Sequence, residues 1–273
     1  MIINGLPGDS ISAGDRGLMY GDGVFRTLRI QQGKPLLWQQ HYSKLQHDCA
    51  TIGIKCPSVQ VLAEDVEQLI RQNGESTVEG VAKIIITRGH ATRGYAPVAN
   101  PQLNRILSFN PNPAYPLSNA SAGISLHLCK FRLCHQPRLA GIKHLNRLEN
   151  VLAAAEWNDE KIAEGLMLDD ENHIIEGTRS NLFLVRNGKL YTPDLSRCGV
   201  AGLQRDRVIA YARQQRIVCK ITDLTMDDLV SADEIFMVNS VIGLWPVREF
   251  PGFKCTQFPL SLQIQEWLNN ENN

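Results

Sequence analysis

The sequence predicts an α+β protein of two domains, a smaller N-terminal α/β domain at residues 1–110 and a larger, strand-rich C-terminal domain at residues 122–273. Its 273 residues suffice for two moderate domains that need no disulfides or metals for stability. The first part alternates between strand and helix periodicity, whereas the second has mostly short apolar runs between turns. Between them, residues 111–121 contain three prolines among Asn and Ser without periodicity, which is typical of an interdomain linker.

Periodicity defines the elements of the N-terminal domain. Apolar and polar residues alternate from 23 to 31, which predicts a strand with one face toward the core. Apolar residues recur at helical spacing in 41–52 and in 59–71, so we expect two helices there. The apolar segments 81–88 and 104–110 predict two further strands, the first of them buried.

The C-terminal domain is predicted to contain one long helix and several short strands. Residues 146–164 form the longest stretch in which apolar residues have helical spacing. Turn signals such as Asn187-Gly188 separate short apolar runs, which is typical of strands. The predicted strands are 124–131, 166–169, 182–185, 190–192 and 234–238, and further helices are predicted at 203–215 and 260–268.

Composition excludes several classes of protein. The formal net charge is zero and 43% of the residues are hydrophobic, so we expect neither a disordered chain nor a nucleic-acid or anionic-membrane partner. The start of the chain does not resemble a signal peptide, and no run approaches the ~18 apolar residues of a membrane helix. We therefore expect a soluble, cytoplasmic protein. Seven irregularly spaced cysteines favour reduced thiols, and the seven histidines show no spacing typical of a metal site.

Lys143 is the first residue whose surroundings favour a chemical role. It follows a glycine-containing loop and precedes the long predicted helix. A lysine that forms a Schiff base must be held rigidly and partly desolvated, so that its amine is neutral often enough to attack a carbonyl. The alternative is a solvated lysine in a basic surface segment, which also contains Lys130, Arg132, Arg138 and Arg147.

Two further segments have features of a cofactor site. Glu176 ends an apolar strand before a small polar loop, where a carboxylate can hold a proton on a pyridine-type nitrogen. A solvated glutamate in a hairpin turn is the alternative. Gly199 and Gly202 lead into the helix predicted at 203–215, whose first N–H groups and dipole suit a phosphate. Glycines that only satisfy the backbone geometry are the alternative there.

Taken in order, these segments resemble the fold-type IV pyridoxal-phosphate enzymes, the family of the branched-chain and D-amino-acid aminotransferases and aminodeoxychorismate lyase. The resemblance spans nearly the whole chain, and the matching segments are 15–29, 41–45, 140–150, 176–183, 199–206 and 237–247. It implies the two-domain fold of the D-amino-acid aminotransferase type, pyridoxal 5'-phosphate as cofactor, and a homodimer with active sites near the interface.

Within the family, two segments resemble the lyase more than the aminotransferases. They are the block from Lys143 to Glu149 and the segment 88–95, which has the pattern R-G-x-x-x-R-G-Y. The resemblance therefore implies conversion of 4-amino-4-deoxychorismate to 4-aminobenzoate and pyruvate, a step of folate biosynthesis. A D-amino-acid or branched-chain aminotransferase on the same scaffold is the alternative.

The resemblance also implies roles for individual residues at the cofactor. Lys143 would form the Schiff base and later move protons, and Glu176 would pair with the pyridine nitrogen. The phosphate would be received by the backbone of Leu203 and Gln204 together with Asn239 and Ser240.

Four more residues are implicated with open alternatives. Lys44 stands where members of the family usually have a phosphate-binding arginine; lysine keeps the charge but loses the bidentate fork. Thr27 is a candidate for a catalytic hydroxyl near the leaving group, or is an ordinary strand threonine. Arg93 and Tyr95 are candidates for the substrate carboxylates, because a dicarboxylate needs charge-assisted donors. A solvated loop arginine is the alternative for Arg93.

Overall fold

The structure, a computed structural model, describes residues 1–74, 78–90, 94–97 and 100–270. The chain forms two compact units, the first comprising Met1–Ala114 and Ile142–Asn146 and the second comprising Tyr115–Gly141 and Arg147–Asn273. The division after Ala114 falls inside the predicted linker. The inclusion of 142–146 in the first unit has no counterpart in the predicted domains, because it depends on pairing between distant parts of the chain.

The first unit is an antiparallel sheet packed against helices. Its elements in chain order are β1 (Ile2–Ile3), β2 (Leu6–Pro7), α1 (Arg16–Tyr20), β3 (Gly23–Gln31), β4 (Lys34–Pro35), α2 (Trp38–Thr51), α3 (Val59–Gln72), β5 (Gly80–His90) and β6 (Gln102–Asn110). The strand order is β2-β1-β6-β5-β3-β4. The predicted strands and helices of this part of the chain are therefore confirmed, with ends that differ by a few residues.

Strand β3 shows the alternation that its sequence predicts. Val24, Leu28 and Ile30 are fully buried on one face, in a core that includes apolar residues of α2 and α3. Phe25 and Thr27 are half buried on the opposite face. Because side chains alternate along a strand, one face of β3 belongs to the core and the other is available to a site.

The second unit is rich in short strands, as predicted. Its elements are α4 (Ser118–Ser121), β7 (Ile124–Leu133), α5 (Leu148–Ala154), β8 (Ile162–Asp169), β9 (Ile174–Gly177), β10 (Asn181–Arg186), β11 (Lys189–Pro193), α6 (Leu203–Gln214), β12 (Cys219–Thr222), α7 (Met226–Val230), β13 (Glu234–Asn239), β14 (Gly243–Phe250), β15 (Phe253–Lys254) and α8 (Pro259–Asn270). The strands follow the order β12-β11-β10-β13-β14-β7-β8-β9, with β15 on β14. Both units mix helices and sheets, which confirms the α+β class.

The long helix predicted at 146–164 is wrong beyond its first half. Helix α5 spans only Leu148–Ala154, and residues 162–169 form β8, which pairs with β7. Three apolar residues that produced the helical pattern, Leu148, Val151 and Leu152, are exposed rather than packed in the core. Pairing with β7 thus overrides local helix preference after the turn at Asp159.

No described helix combines the length and apolar character needed to cross a membrane.

Asp22 ties two arginines of the first unit together. Its Oδ2 accepts hydrogen bonds from Nε of Arg16 and from Nε of Arg88, each at 2.8 Å. The guanidinium of Arg88 also donates to the carbonyl oxygens of Ile52 and Gly53, which follow α2. This carboxylate therefore joins the loop before β3 to the end of β5 and to the loop after α2.

We expect Asp22→Asn to lower the free energy of unfolding by about 3 kcal/mol near neutral pH, because it leaves two buried guanidinium groups without their carboxylate. Burial alone would raise the pKa of Asp22, but the hydrogen bonds and charges of Arg88 and Arg16 outweigh it and hold the pKa below 3.8. This contribution is therefore complete above about pH 4 and is lost as the pH falls through the folded-state pKa.

Urea unfolding of both proteins at several pH values checks this prediction. The difference between them should be constant around neutral pH and should shrink only below about pH 4. Glu67→Gln is the control, since Glu67 forms an exposed pair with Arg71 and should change stability by about 0.5 kcal/mol or less. An equal effect of the two substitutions would contradict the role of Asp22.

Candidate active site

Lys143 lies in a short segment that extends the sheet of the first unit. The N–H of Phe25 donates to the carbonyl oxygen of Lys143 at 2.9 Å, and the N–H of Leu145 donates to the carbonyl oxygen of Gly23 at 3.0 Å. A bridge between Val24 and His144 lies between these two bonds. The backbone of Lys143 is therefore fixed against the beginning of β3 as an added strand would be.

The side chain of Lys143 is half buried and lies on the accessible face of β3. Its Nζ is 4.5 Å from the centre of the Phe25 ring. Nζ of Lys83, on the adjacent strand β5, is 4.7 Å from the same ring. Thr27 is the next residue on that face of β3 and is also half buried. The amine of Lys143 thus has a defined position rather than that of a solvated surface lysine.

A buried ion pair lies on the other side of the Lys143 backbone. Asp48 of α2 accepts a hydrogen bond from Nη2 of Arg26 and, at 3.3 Å, from the backbone N–H of Lys143. Lys44, one turn earlier on α2, is half buried. Its carbonyl oxygen lies 3.4 Å from the same Nη2 of Arg26. Lys44 and the Lys143 backbone therefore both contact this ion pair.

In the second unit, Glu176 is a buried carboxylate at the end of β9. It is 3% exposed, and its Oε2 accepts the N–H of Val200 at 2.9 Å. The loop after it is fastened by Glu164, which accepts hydrogen bonds from the hydroxyls of Thr178 and Ser180. The N–H of Val200 thus holds one oxygen of the Glu176 carboxylate in place.

The loop before α6 is shaped by Asn181 and two glycines. The amide of Asn181 donates to the carbonyl oxygen of Val200 at 2.7 Å and accepts the N–H of Gly202 at 3.0 Å. A Cβ at Gly202 would lie 2.4 Å from Oδ1 of Asn181, and Gly199 has a φ of +82°. Both positions therefore require glycine.

The N-terminus of α6 suits an anion. Gly202 is the N-cap of this 12-residue helix and, as a glycine, has no side chain that could make a capping hydrogen bond. The first residues of the helix, Leu203 and Gln204, are buried. The N–H groups of an uncapped first turn and the helix dipole favour a phosphate or carboxylate.

The Amino-transferase class IV family matches residues 23–250 of this sequence. The chain belongs to this family. It is similar to the aminodeoxychorismate lyase of Vibrio harveyi, with 37% identity over 247 residues, 90% of this chain and 89% of the relative. A putative branched-chain-amino-acid aminotransferase of Methanocaldococcus jannaschii is 30% identical over 243 residues, 89% of this chain and 83% of the relative.

The fold is also that of a solved relative in the family. The crystal structure of 4-amino-4-deoxychorismate lyase from Pseudomonas aeruginosa has a TM-score of 0.93 and 43% identity, and the match covers 98% of both chains. The predicted resemblance to fold-type IV enzymes and the predicted fold are thereby confirmed.

Asn239 and Ser240 lie in the turn that follows β13. The side-chain amide of Asn239 donates to the carbonyl oxygen of Arg179 at 3.0 Å, and its Oδ1 accepts the N–H groups of Val241 and Ile242 at 2.8 and 2.9 Å. The Asn239 side chain therefore shapes the turn, in which Ser240 is half buried.

The two residues predicted for the substrate carboxylates differ in what the structure describes. Arg93 lies outside the described residues. Tyr95 is 83% exposed, its ring centre is 5.3 Å from that of Tyr20, and its carbonyl oxygen accepts Nη2 of Arg16 at 2.7 Å. The structure thus places Tyr95 in the first unit, against Tyr20 and Arg16.

Four residues of these arrangements were given no role by the sequence analysis: Arg26, Asp48, Glu164 and Asn181. Only Arg26 had a visible signal, since it occupies a core-facing position in the alternating segment 23–31. The other three act through contacts between distant segments, for which periodicity gives no information.

A group of possible metal ligands also comes together in the second unit, although histidine spacing predicted none. Ligand-type atoms of His135, Asp169 and Cys198 lie within 4.8 Å of one another. Asp169 accepts the N–H groups of Glu171 and His173 through Oδ1, and its Oδ2 lies 2.9 Å from Nε2 of His135. These hydrogen bonds make Asp169 a cap on the turn between β8 and β9.

Proposed function

We propose that this chain is a pyridoxal-phosphate-dependent lyase that converts 4-amino-4-deoxychorismate to 4-aminobenzoate and pyruvate. The observation that carries the proposal is the near full-length match to two lyases of that name, one by sequence and one by structure. The side chains described above supply the chemical groups that such a reaction needs.

The residues present fit pyridoxal phosphate. The aldehyde of pyridoxal phosphate needs a fixed amine with which to form a Schiff base, and Lys143 is half buried with its backbone held against β3. A protonated pyridine nitrogen needs a buried carboxylate, and Glu176 is one. A phosphate needs N–H donors, and the uncapped first turn of α6 offers them at Leu203 and Gln204. Asn239 and Ser240 are proposed to complete the phosphate site.

The protein's own residues have distinct tasks in this proposal. When bound, the cofactor supplies an electron sink for the substrate carbon next to its amine. The amine of Lys143 holds the cofactor in the resting enzyme and later takes the proton from the substrate ring. Glu176 holds the proton on the pyridine nitrogen throughout.

The remaining candidates are assigned to the substrate. Loss of the ring proton and of the enolpyruvyl group as pyruvate makes the ring aromatic, so the elimination is strongly downhill. Thr27 is proposed to donate a hydrogen bond to the leaving oxygen. It lies on the same face of β3 as Phe25, and the centre of the Phe25 ring is 4.5 Å from Nζ of Lys143. Arg93 and Tyr95 are proposed for the substrate carboxylates.

Two measurements on the purified protein test the proposal. Incubation with pyridoxal phosphate should give a yellow protein, and borohydride should fix the label on Lys143, as mapped by peptide mass spectrometry. Supplied with 4-amino-4-deoxychorismate, it should release pyruvate and 4-aminobenzoate in equal amounts. A protein that takes up no pyridoxal phosphate contradicts the cofactor, and a loaded protein that releases no pyruvate contradicts the lyase.

An aminotransferase is the second candidate, because a relative named as a branched-chain aminotransferase reaches 30% identity. Transfer of an amino group from a branched-chain or D-amino acid to a keto acid, without pyruvate release from 4-amino-4-deoxychorismate, would favour it.

A homodimer in the cytoplasm is proposed as well. Helix α5 exposes Leu148, Val151 and Leu152, and apolar residues clustered on a helix are typical of a subunit interface. All seven cysteines are free thiols, which agrees with a reducing compartment. The molecular mass measured by analytical ultracentrifugation should be twice that of one chain. In Val151→Glu this mass should fall toward that of a monomer.

We expect Lys44→Arg to bind pyridoxal phosphate about fivefold more tightly, because the guanidinium adds a second charge-assisted hydrogen bond to the phosphate. Titration of the cofactor absorbance measures the dissociation constant. Lys34→Arg is the control, since Lys34 is exposed on β4 of the same unit. Unchanged affinity in both Lys44→Arg and Lys44→Ala would remove Lys44 from the phosphate site.

A further inference from the structure

Arg26 occupies a position that the fold otherwise reserves for apolar residues. On its face of β3 the neighbours Val24, Leu28 and Ile30 are fully buried, and Arg26 itself is 3% exposed. A buried guanidinium requires a partner, because transfer of an unpaired charge from water to the interior costs many kcal/mol. Its partner is Asp48 of α2, which is 0% exposed.

One oxygen of Asp48 connects three parts of the chain. Oδ2 accepts Nη2 of Arg26 from β3 and the backbone N–H of Lys143 at 3.3 Å, while Asp48 itself belongs to α2. The other oxygen, Oδ1, is buried and has no hydrogen-bond partner in the described part of the chain. The carboxylate is thus oriented so that Oδ2 accepts both hydrogen bonds, from Arg26 and from the N–H of Lys143, while Oδ1 accepts none from the described residues.

A gain in stability is a weak explanation for a buried ion pair of this kind. Replacing a buried ion pair by apolar residues of similar size is often neutral or stabilising. Burial also raises the pKa of Asp48 above its ordinary range in spite of the nearby charge of Arg26, so the ionised carboxylate depends on that arginine. What an apolar pair would lack is an acceptor for the N–H of Lys143.

We infer that the Arg26–Asp48 pair positions Lys143 for the proposed reaction. Asp48 holds the amide nitrogen of Lys143, and the N–H of Phe25 holds its carbonyl oxygen. Both peptide groups that flank the Lys143 Cα are therefore fixed, which sets the direction in which the amine leaves the backbone. Arg26 acts through Asp48 by keeping the carboxylate charged and in place.

This inference rests on the proposed function, since it concerns the amine that the reaction uses. A displacement of about 1 Å in a reacting group lowers a rate by about 100-fold. Loss of the pair should therefore reduce kcat by about 10- to 100-fold and change KM by less than about threefold. A purely structural role would lower stability without this division between kcat and KM.

The test replaces the pair in the full chain by apolar residues, Arg26→Met with Asp48→Leu. Its matched control replaces another ion pair of the same unit, Arg105→Met with Asp65→Leu. There a half-buried Arg105 places its Nε 2.6 Å from Oδ2 of the buried Asp65. Circular dichroism establishes that each variant is folded. Hydrogen–deuterium exchange of the peptide that contains residues 142–146 then reports how firmly the Lys143 backbone is held, without any dependence on activity.

We expect the Arg26/Asp48 variant to exchange this peptide about tenfold faster than the wild type and to show the loss of kcat given above. The visible absorption band of the pyridoxal-phosphate-loaded enzyme should also titrate with a different pH midpoint. The Arg105/Asp65 control should leave all three unchanged. Arg26→Lys, which keeps a cation beside Asp48, should give values between those of the wild type and the double variant.

Wild-type exchange and kcat in a folded Arg26/Asp48 variant would overturn the inference, as would equal losses in the control. If the double variant does not fold, Asp48→Asn takes its place, because a neutral oxygen accepts more weakly and should raise exchange by about threefold. A wild-type protein that takes up no pyridoxal phosphate refutes the proposed function alone, and the exchange data still decide whether the pair anchors Lys143.

Discussion

Lys143→Ala should lower lyase turnover by about 10⁴-fold or more and leave a folded protein that borohydride no longer labels. In the proposed mechanism one amine both attaches the cofactor and moves the substrate proton, so its removal would eliminate covalent attachment and the general base together. Single-turnover kinetics with 4-amino-4-deoxychorismate measure the first effect, and mass spectrometry after borohydride treatment measures the second.

Lys83 makes this test specific, because its Nζ lies at the same Phe25 ring as that of Lys143. In the wild type, the borohydride label should map to Lys143 and not to Lys83. In Lys143→Ala, no label should be found on Lys83 under the same conditions. A label on Lys83 in the wild type would show that the attachment site has been assigned to the wrong lysine.

Glu176→Gln should reduce kcat by about 10²- to 10³-fold with little change in stability. In the wild type the N–H of Val200 lies 2.9 Å from Oε2 of Glu176. Glutamine keeps an oxygen that can accept this hydrogen bond, so the loop should retain its shape. A neutral amide, however, does not hold a proton on a pyridine nitrogen, and the electron sink is weakened. Steady-state kinetics and the spectrum of the loaded enzyme provide the measurement.

Glu160→Gln serves as the matched control for Glu176, because Glu160 is an exposed glutamate in the same unit. It should leave both kcat and the spectrum unchanged. Wild-type turnover in Glu176→Gln would remove Glu176 from the reaction. A changed absorption spectrum of the loaded Glu160→Gln control would mean that the spectrum reports general stability and not protonation of the pyridine nitrogen.

Sequence periodicity was sufficient where one face of an element is buried in a core. Strand β3 was predicted with its bounds, because Val24, Leu28 and Ile30 alternate with residues of the other face. It failed for the helix at 146–164, where Leu148 and Val151 are apolar but exposed. A periodic pattern identifies an amphipathic face, but it does not tell a core from another apolar surface.

The candidate site was predictable only in part for a related reason. Lys143 and Glu176 were identified as candidates through their motifs in the sequence. The contacts that orient them, from Asp48 and from Val200, join residues 95 and 24 positions apart along the chain. Such pairings arise from tertiary packing, so neither spacing nor composition reveals them. A charge at a core-facing position, as at Arg26, is the one signal of this kind that a sequence displays.

The pairing of residues 142–146 with β3 has a consequence for how the chain is made. The sheet of the first unit is complete only when this segment is present, although the rest of that unit ends at Ala114. During synthesis the beginning of β3 therefore has an open edge until residue 146 has left the ribosome, and open strand edges recruit other strands. A chain stopped at the linker would keep that edge unpaired, so we expect it to associate with other strands more readily than the full chain does.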